Sequence, residues 1–115
     1  MTNFILVPPT NYVAELLRLA PTFAASTEFV SLDAHEGTYA GLVFSAFARF
    51  MEGCGGNQPA MQECRNAIEH FASSNDSEAH NLLITEVFEA FDEPETTKTQ
   101  LLPKSRELYD RWIGN

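Results

Sequence analysis

The stretch that most constrains the fold is Asp76 to Phe91, DSEAHNLLITEVFEAF. Ala79 or His80, Leu83, Ile84, Val87, Phe88 and Phe91 recur at steps of three and four, which predicts a helix with one continuous apolar face. Asp76 suits the N-cap, Glu78 complements the positive end of the helix dipole, and Asp92-Glu93-Pro94 stops the run. A helix with so wide an apolar face must be covered, so the segments on either side are expected to be helices that dock on it.

Those segments read accordingly. Thr10 or Asn11 can cap a helix to about Leu19, with Val13, Leu16, Leu17 and Ala20 on one side. Pro21 suits the first turn of a short second helix anchored by Phe23, Ala24 and Phe29. A third runs from about Thr38 to Glu52 with an apolar stripe of Tyr39, Leu42, Val43, Ala46, Phe47, Phe50 and Met51, and the Gly-rich turn after it breaks the chain. Pro59 opens a fourth, where Met61, Cys64, Ile68 and Phe71 make a seam. Glu95–Gln100 reads as polar loop. Pro103 opens a last helix with Leu108, Tyr109, Trp112 and Ile113 as its apolar face. Before all of these, Phe4–Val7 reads as an extended arm ended by Pro8-Pro9. The expectation for residues 1–115 is a single all-α domain of about six helices in antiparallel pairs, an irregular bundle or a short α-solenoid. No repeat of fixed period is visible.

Charge narrows the function classes. A net charge of −9 repels phosphate backbones and anionic lipid, so direct binding to nucleic acid or to a membrane surface is not expected, and a cationic partner is favoured. The N-terminus lacks a basic region and a long apolar run, and no segment approaches the roughly 20 apolar residues of a membrane span. Two Cys make no disulfide framework. The expected compartment is the cytoplasm.

Catalytic patterns are missing. There is no phosphate loop, no GxSxG turn and no HExxH pair. Cys54, Cys64, His70 and His80 fit no usual zinc spacing, and Cys64 and His70 diverge on one helix, so neither a metal nor a cofactor is expected. A Cys–His nucleophile pair would lack an activating third group. His35-Glu36 and the pair Glu86 and Glu89 could be cast as acid–base groups, although carboxylates three apart on a helix are ordinarily a solvated face.

The remaining feature is an acid block. Between Asn66 and Thr97 lie eight acids, Glu69, Asp76, Glu78, Glu86, Glu89, Asp92, Glu93 and Glu95, and no Lys or Arg, whereas 98–111 holds four of the seven cations. Solvation and helix capping account for Asp76 and Glu78. The candidate partner-binding residues are Asp76, Glu78, Glu86, Glu89, Asp92, Glu93 and Glu95. Lys104, Arg106 and Arg111 in the last helix could instead be their internal counter-charges.

The C-terminal half also carries a pattern: an Ile68-x-x-Phe71 helix end, a short polar loop, Glu78-x-x-Asn81-Leu-Leu-Ile followed by Phe88-Glu-Ala-Phe, then Leu102-Pro103 and the helix RELYDRW. In this the chain resembles the small all-α immunity proteins that neutralise toxins in bacterial polymorphic-toxin and contact-dependent growth inhibition systems. The order of helices in the first half is compatible. The resemblance implies a non-catalytic inhibitor that binds a basic toxin domain, a nuclease, as a 1:1 complex, its acidic surface standing in for substrate phosphates. The alternative is a small helical adaptor or regulatory protein that binds another protein through exposed aromatics such as Phe29, Tyr39 or Trp112.

Overall fold

The computed structural model describes residues 9–54 and 57–114, and the side chains of all of these except 9–11 and 38. The proposed arm at Phe4–Val7 lies outside the described residues. The fold is all-α: α1 (Pro9–Leu19), α2 (Pro21–Ala24), α3 (Thr27–Val30), α4 (Ala40–Gly53), α5 (Gln58–Ser73), α6 (Ser77–Leu82), α7 (Pro94–Thr97) and α8 (Pro103–Gly114). Short 3-10 turns precede α4 (Glu36–Thr38) and follow α7 (Lys98–Gln100).

Several expectations shift. The first helix already begins at Pro9, so Thr10 and Asn11 belong to its first turn and do not cap it. The second helix is broken at Ser26, whose hydroxyl oxygen accepts from Phe29 N and restarts the chain as α3. The expected loop at Glu95–Gln100 is helical, because Pro94 sits at a first-turn position with its φ preset for a helix. Asp76 caps α6 as anticipated, accepting from the backbone of Glu78 and Ala79. Beyond Leu82, however, the helix widens into a π-helical stretch, Leu83–Val87, and then tightens into a 3-10 turn, Phe88–Ala90. This change of pitch puts Ala79, Leu83, Val87, Phe88 and Phe91 in the core and leaves Ile84 half-buried.

The centre of the molecule is α4 and not the stretch around Leu83. Ala40, Val43, Phe44, Ala46, Phe47, Ala48 and Met51 are all buried, more of the helix surface than one face supplies. It touches α1, α3, α5, α6 and the π-helical stretch. Its alanines and Gly41 let neighbouring backbones come close. A Cβ at Gly41 would lie only 3.4 Å from the Glu86 carboxylate. Tyr39 and Leu42, placed in the apolar stripe by spacing alone, are instead exposed at 49% and 44%, and Ile113 is exposed at 58%. The α5 seam of Met61, Cys64, Ile68 and Phe71 is buried as its periodicity requires. Phe88, in the 3-10 turn that ends the run begun by α6, joins that run to α8 through edge contact with Tyr109 and a tilted contact with Trp112, at 5.2 Å and 6.1 Å between ring centres.

Three helices that open on proline share a further device. Their N-termini receive a glutamate carboxylate from α4 or α5, far away in sequence. Glu63 accepts from Thr22 N (2.9 Å) and Thr22 Oγ1 (3.0 Å) at the start of α2. Glu52 accepts from the N–H groups of Asp92 and Glu93, both at 3.0 Å, and from Thr97 Oγ1, at the start of α7. Glu69 accepts from Lys104 N (3.0 Å), Ser105 N (2.9 Å) and Ser105 Oγ (2.7 Å) at the start of α8. Each carboxylate meets orphan donors and the positive end of a helix dipole at once. These bonds fix the α6–α7 corner and the position of α8, on which both surfaces described below depend.

Candidate partner-binding surface

The seven acids named from sequence divide by what they touch. Asp76 is held inside the fold: besides capping α6 it accepts from Tyr12 Oη at 2.6 Å. That bond, chiefly, keeps its carboxyl below the ordinary aspartate range, while burial together with the same contact pushes the Tyr12 phenol up to about 12. Glu86, in the π-helical stretch, is half-buried against α4 and accepts from Ser45 Oγ at 2.9 Å. Glu95 pairs with Lys98 at 3.0 Å.

The other four are different. Glu78, Glu89, Asp92 and Glu93 are exposed, and their carboxylates accept no hydrogen bond or ion pair among the described residues. Glu89, Asp92 and Glu93 fall within five residues, where the 3-10 turn ends and α7 begins. The Glu52 carboxylate, bonded to the Asp92 and Glu93 amides, adds a further negative charge at that corner.

Among the described residues no cation forms an ion pair with Glu89, Asp92 or Glu93; Arg49 is the cation of α4 on the stretch between Ser45 and Glu52 that packs against this region, and Lys98 is taken by Glu95. Arg65, the last cation before the acid block, is held by the neutral side chains of Gln62 and Gln100. In α8, Arg106 pairs with Asp110 at 3.2 Å and Lys104 approaches Glu107 at 3.9 Å, both within the helix itself. Arg111 has no ion-pair partner among the described residues. The last helix meets the acid block at Glu69, through two N-terminal amides and the Ser105 hydroxyl, and the Lys104 charge also favours that carboxylate, although no ion pair closes between them. Capping by Glu52, Glu63 and Glu69 was not legible in sequence; its only trace is that Pro21, Pro94 and Pro103 follow Ala20, Glu93 and Leu102, none of which makes or could readily make a local side-chain cap.

Groups with acid–base chemistry are tied up elsewhere. A hollow of about 450 Å³ between α1, α5 and α6 is lined by Tyr12, Glu15, Arg18, His70 and Asp76 among others. Within it Glu15 bonds Arg18 at 2.6 Å and His70 at 3.0 Å, and Arg18 above all holds the Glu15 carboxyl below its ordinary value. Tyr12 and Asp76 are both displaced away from neutrality, opposite to what a general acid or base requires. His80 contacts the Ser74 carbonyl at 2.9 Å and His35 contacts Tyr39 Oη at 2.9 Å. Glu36 and Asp33 bond each other's backbone amides. Cys54 and Cys64 touch each other, and burial raises both thiols, leaving them poor nucleophiles. Among the described residues no group of His, Cys, Asp and Glu has the arrangement of a metal site.

Of the aromatics that an adaptor reading would use, Phe29 packs on Phe23 and Trp112 on Phe88 and Tyr109, and both are half-buried; Tyr39 is exposed. Among the described residues no helix is long and apolar enough to cross a membrane. Comparison with protein families, with curated proteins and with solved structures gives no match.

Proposed function

We propose that this chain is a non-catalytic binding protein that engages a basic partner domain, as a 1:1 complex, through the corner formed by Glu89, Asp92 and Glu93. One observation carries the reading: these carboxylates stand exposed at one corner with no hydrogen bond or ion pair of their own among the described residues, while most other acids of the chain have a donor within the fold. Like charges gathered without cations repel one another, and a partner bearing Lys or Arg removes that cost on binding. Combined with the resemblance to immunity proteins, the partner class is a toxin domain with a basic substrate cleft, a nuclease, and the corner takes the place of substrate phosphates. Glu78 lies at the other end of the same helical run and extends the acidic side; Asp76 and Glu86 support the fold behind it.

The test is co-expression with the protein encoded by the adjacent reading frame, scored by co-purification and by rescue of growth. The association rate should fall tenfold or more between low and physiological salt, as steered encounters do. Replacing Glu89, Asp92 and Glu93 together by Lys should weaken the complex by more than tenfold and leave the melting temperature nearly unchanged. A complex that tolerates this triple replacement rules out the corner as the interface.

A further inference from the structure

Another surface gathers cations, each of them from α8. Along α8 run two adjoining hollows, of about 240 Å³ and 290 Å³, that share His80, Leu108 and Arg111. The first lies between α8 and the loop joining α5 to α6, and Lys104 and Glu107 stand in it with Arg111. The second is walled by Ile84, Leu108 and Trp112.

Three features set this groove apart. Arg111 lines both hollows and has no ion-pair partner among the described residues, in a chain with only seven Lys and Arg against sixteen acids. Lys104 is loosely engaged, 3.9 Å from Glu107 with both side chains more than 60% exposed. The apolar wall includes Ile84, which sits in the π-helical stretch, and π-turns inside helices are concentrated at functional sites. By contrast, the polar groups around the 450 Å³ hollow are satisfied by one another, so that hollow offers a ligand little unspent binding capacity.

We propose that the α8 groove binds a small amphipathic carboxylate. The guanidinium of Arg111 holds the carboxylate, Lys104 adds a second positive charge, and the ligand's apolar body lies against Trp112, Leu108 and Ile84. A guanidinium matches a carboxylate with two parallel N–H donors, which a lysine cannot do. Two carboxylates stand near these cations, Glu107 within 3.9 Å of Lys104 and Glu69 against the Lys104 amide, and together they penalise a phosphate dianion more than a monoanion. Each hollow is smaller than an ordinary ligand pocket of about 300–1,000 Å³, so the ligand is a small molecule that spans the two. The site is independent of the acidic corner, and either can fail without the other.

The experiment uses the full chain and its single tryptophan, Trp112, as the fluorescent reporter. Titration with 3-phenylpropanoate should change Trp112 emission saturably. Arg111→Gln should weaken that binding at least tenfold and Lys104→Gln by less, whereas Arg49→Gln, which alters an arginine outside both hollows, should leave it unchanged. 3-Phenylpropan-1-ol, which keeps the ring and loses the charge, should not saturate the signal. Equal binding of the alcohol, or an Arg111→Gln chain that binds the acid as well as the parent, overturns the proposal. So does inorganic phosphate that competes with the acid at equal concentration, and so does a titration that never saturates. Arg111 is exposed, and unchanged circular dichroism of Arg111→Gln separates lost binding from lost folding.

Discussion

Glu69→Ala isolates the capping device at its best-bonded site. In the parent, the Glu69 carboxylate accepts three hydrogen bonds from the first turn of α8, two from backbone amides and one from the Ser105 hydroxyl. Removing a helix cap costs about 1 kcal/mol. Ser105 is fully buried, so its hydroxyl is left without an acceptor, which adds about 1–3 kcal/mol. The expected loss is therefore about 2–4 kcal/mol, on the order of 10 °C in melting temperature for a chain of this size. Ser105→Ala keeps both backbone bonds and should cost less. The double replacement should fall short of the sum by about 1 kcal/mol, because the orphaned hydroxyl has gone with its acceptor. The effect must also depend on pH. Burial would raise the Glu69 carboxyl, but hydrogen bonds from Ser105 and Lys104 outweigh it and hold the group below its ordinary value. A depressed carboxyl stabilises the fold above the unfolded pKa, about 4.3, and that contribution disappears as the pH falls through the folded value. The gap between the parent and Glu69→Gln should be full at pH 7 and close progressively below about pH 4. Urea unfolding at a series of pH values, followed by Trp112 fluorescence and circular dichroism, measures both. A loss under about 0.5 kcal/mol at pH 7, or a gap that stays constant down to the lowest pH at which both chains remain folded, refutes charged capping.

Gly41→Ala places a methyl at van der Waals distance from the Glu86 carboxylate, so the gain in helix propensity, up to about 1 kcal/mol, should survive; a measurable destabilisation in urea shows that the two helices cannot give. Asp76→Ala removes the α6 cap and the acceptor of Tyr12, at a cost of about 1–2 kcal/mol. In that variant the Tyr12 phenol should titrate closer to the ordinary tyrosine value than in the parent, where it is raised to about 12; an ultraviolet titration unchanged from the parent contradicts the Tyr12–Asp76 bond. Phe88→Ala takes a ring out of the contacts with Phe91, Tyr109 and Trp112 and should cost about 3–5 kcal/mol with most of the near-ultraviolet dichroism, and a loss below about 1.5 kcal/mol indicates a loosely packed α6–α8 junction.

Periodicity exposed the parts of the fold in which one helix face meets one neighbour. The α5 seam and the Leu83–Phe91 side of the sixth helix are of this kind. It could not rank helices by centrality. In α4 the stripe read from spacing includes Ala46 but omits Ala40, Phe44 and Ala48, which are buried as well, because a helix covered on several sides buries residues beyond one face and small side chains contribute little to an apolar pattern. Tyr39 and Leu42 fit the helical spacing yet are exposed; Tyr39 is the extended N-cap residue and lies outside the helix, which begins only at Ala40. The π-helical stretch has no marker in its residues: Leu83, Ile84 and Val87 suit an α-helix equally well. For the candidate surface, sequence located the acids but not their donors. Whether a glutamate faces solvent or the start of a helix some forty residues away is a property of tertiary pairing, and the amides released by a proline-opened helix were the missing half of the pattern.

The acidity of this chain therefore has two separable origins. Glu52, Glu63, Glu69 and Asp76 sit against the N-termini of α7, α2, α8 and α6, where partial positive charge offsets them and their removal weakens the fold. The carboxylates of Glu89, Asp92 and Glu93 accept no hydrogen bond or ion pair among the described residues; the structural bonds of the last two are made by their backbone, through the Asp92 and Glu93 amides and the Glu93 carbonyl. A variant's meaning follows from this division. Loss of partner binding in Glu69→Ala or Glu86→Ala cannot be distinguished from loosening of α8 or of the contact between Glu86 and Ser45. The same loss in Glu89→Lys, whose carboxylate accepts no bond among the described residues and which does not cap a helix, points to the surface where a partner would meet it. A charge-reversal series should therefore separate into two groups when binding is plotted against melting temperature. Glu69 and Glu86 should lie along the diagonal, with Glu89, Asp92 and Glu93 displaced along the binding axis alone; all five on one diagonal would mean that the corner acts only through stability.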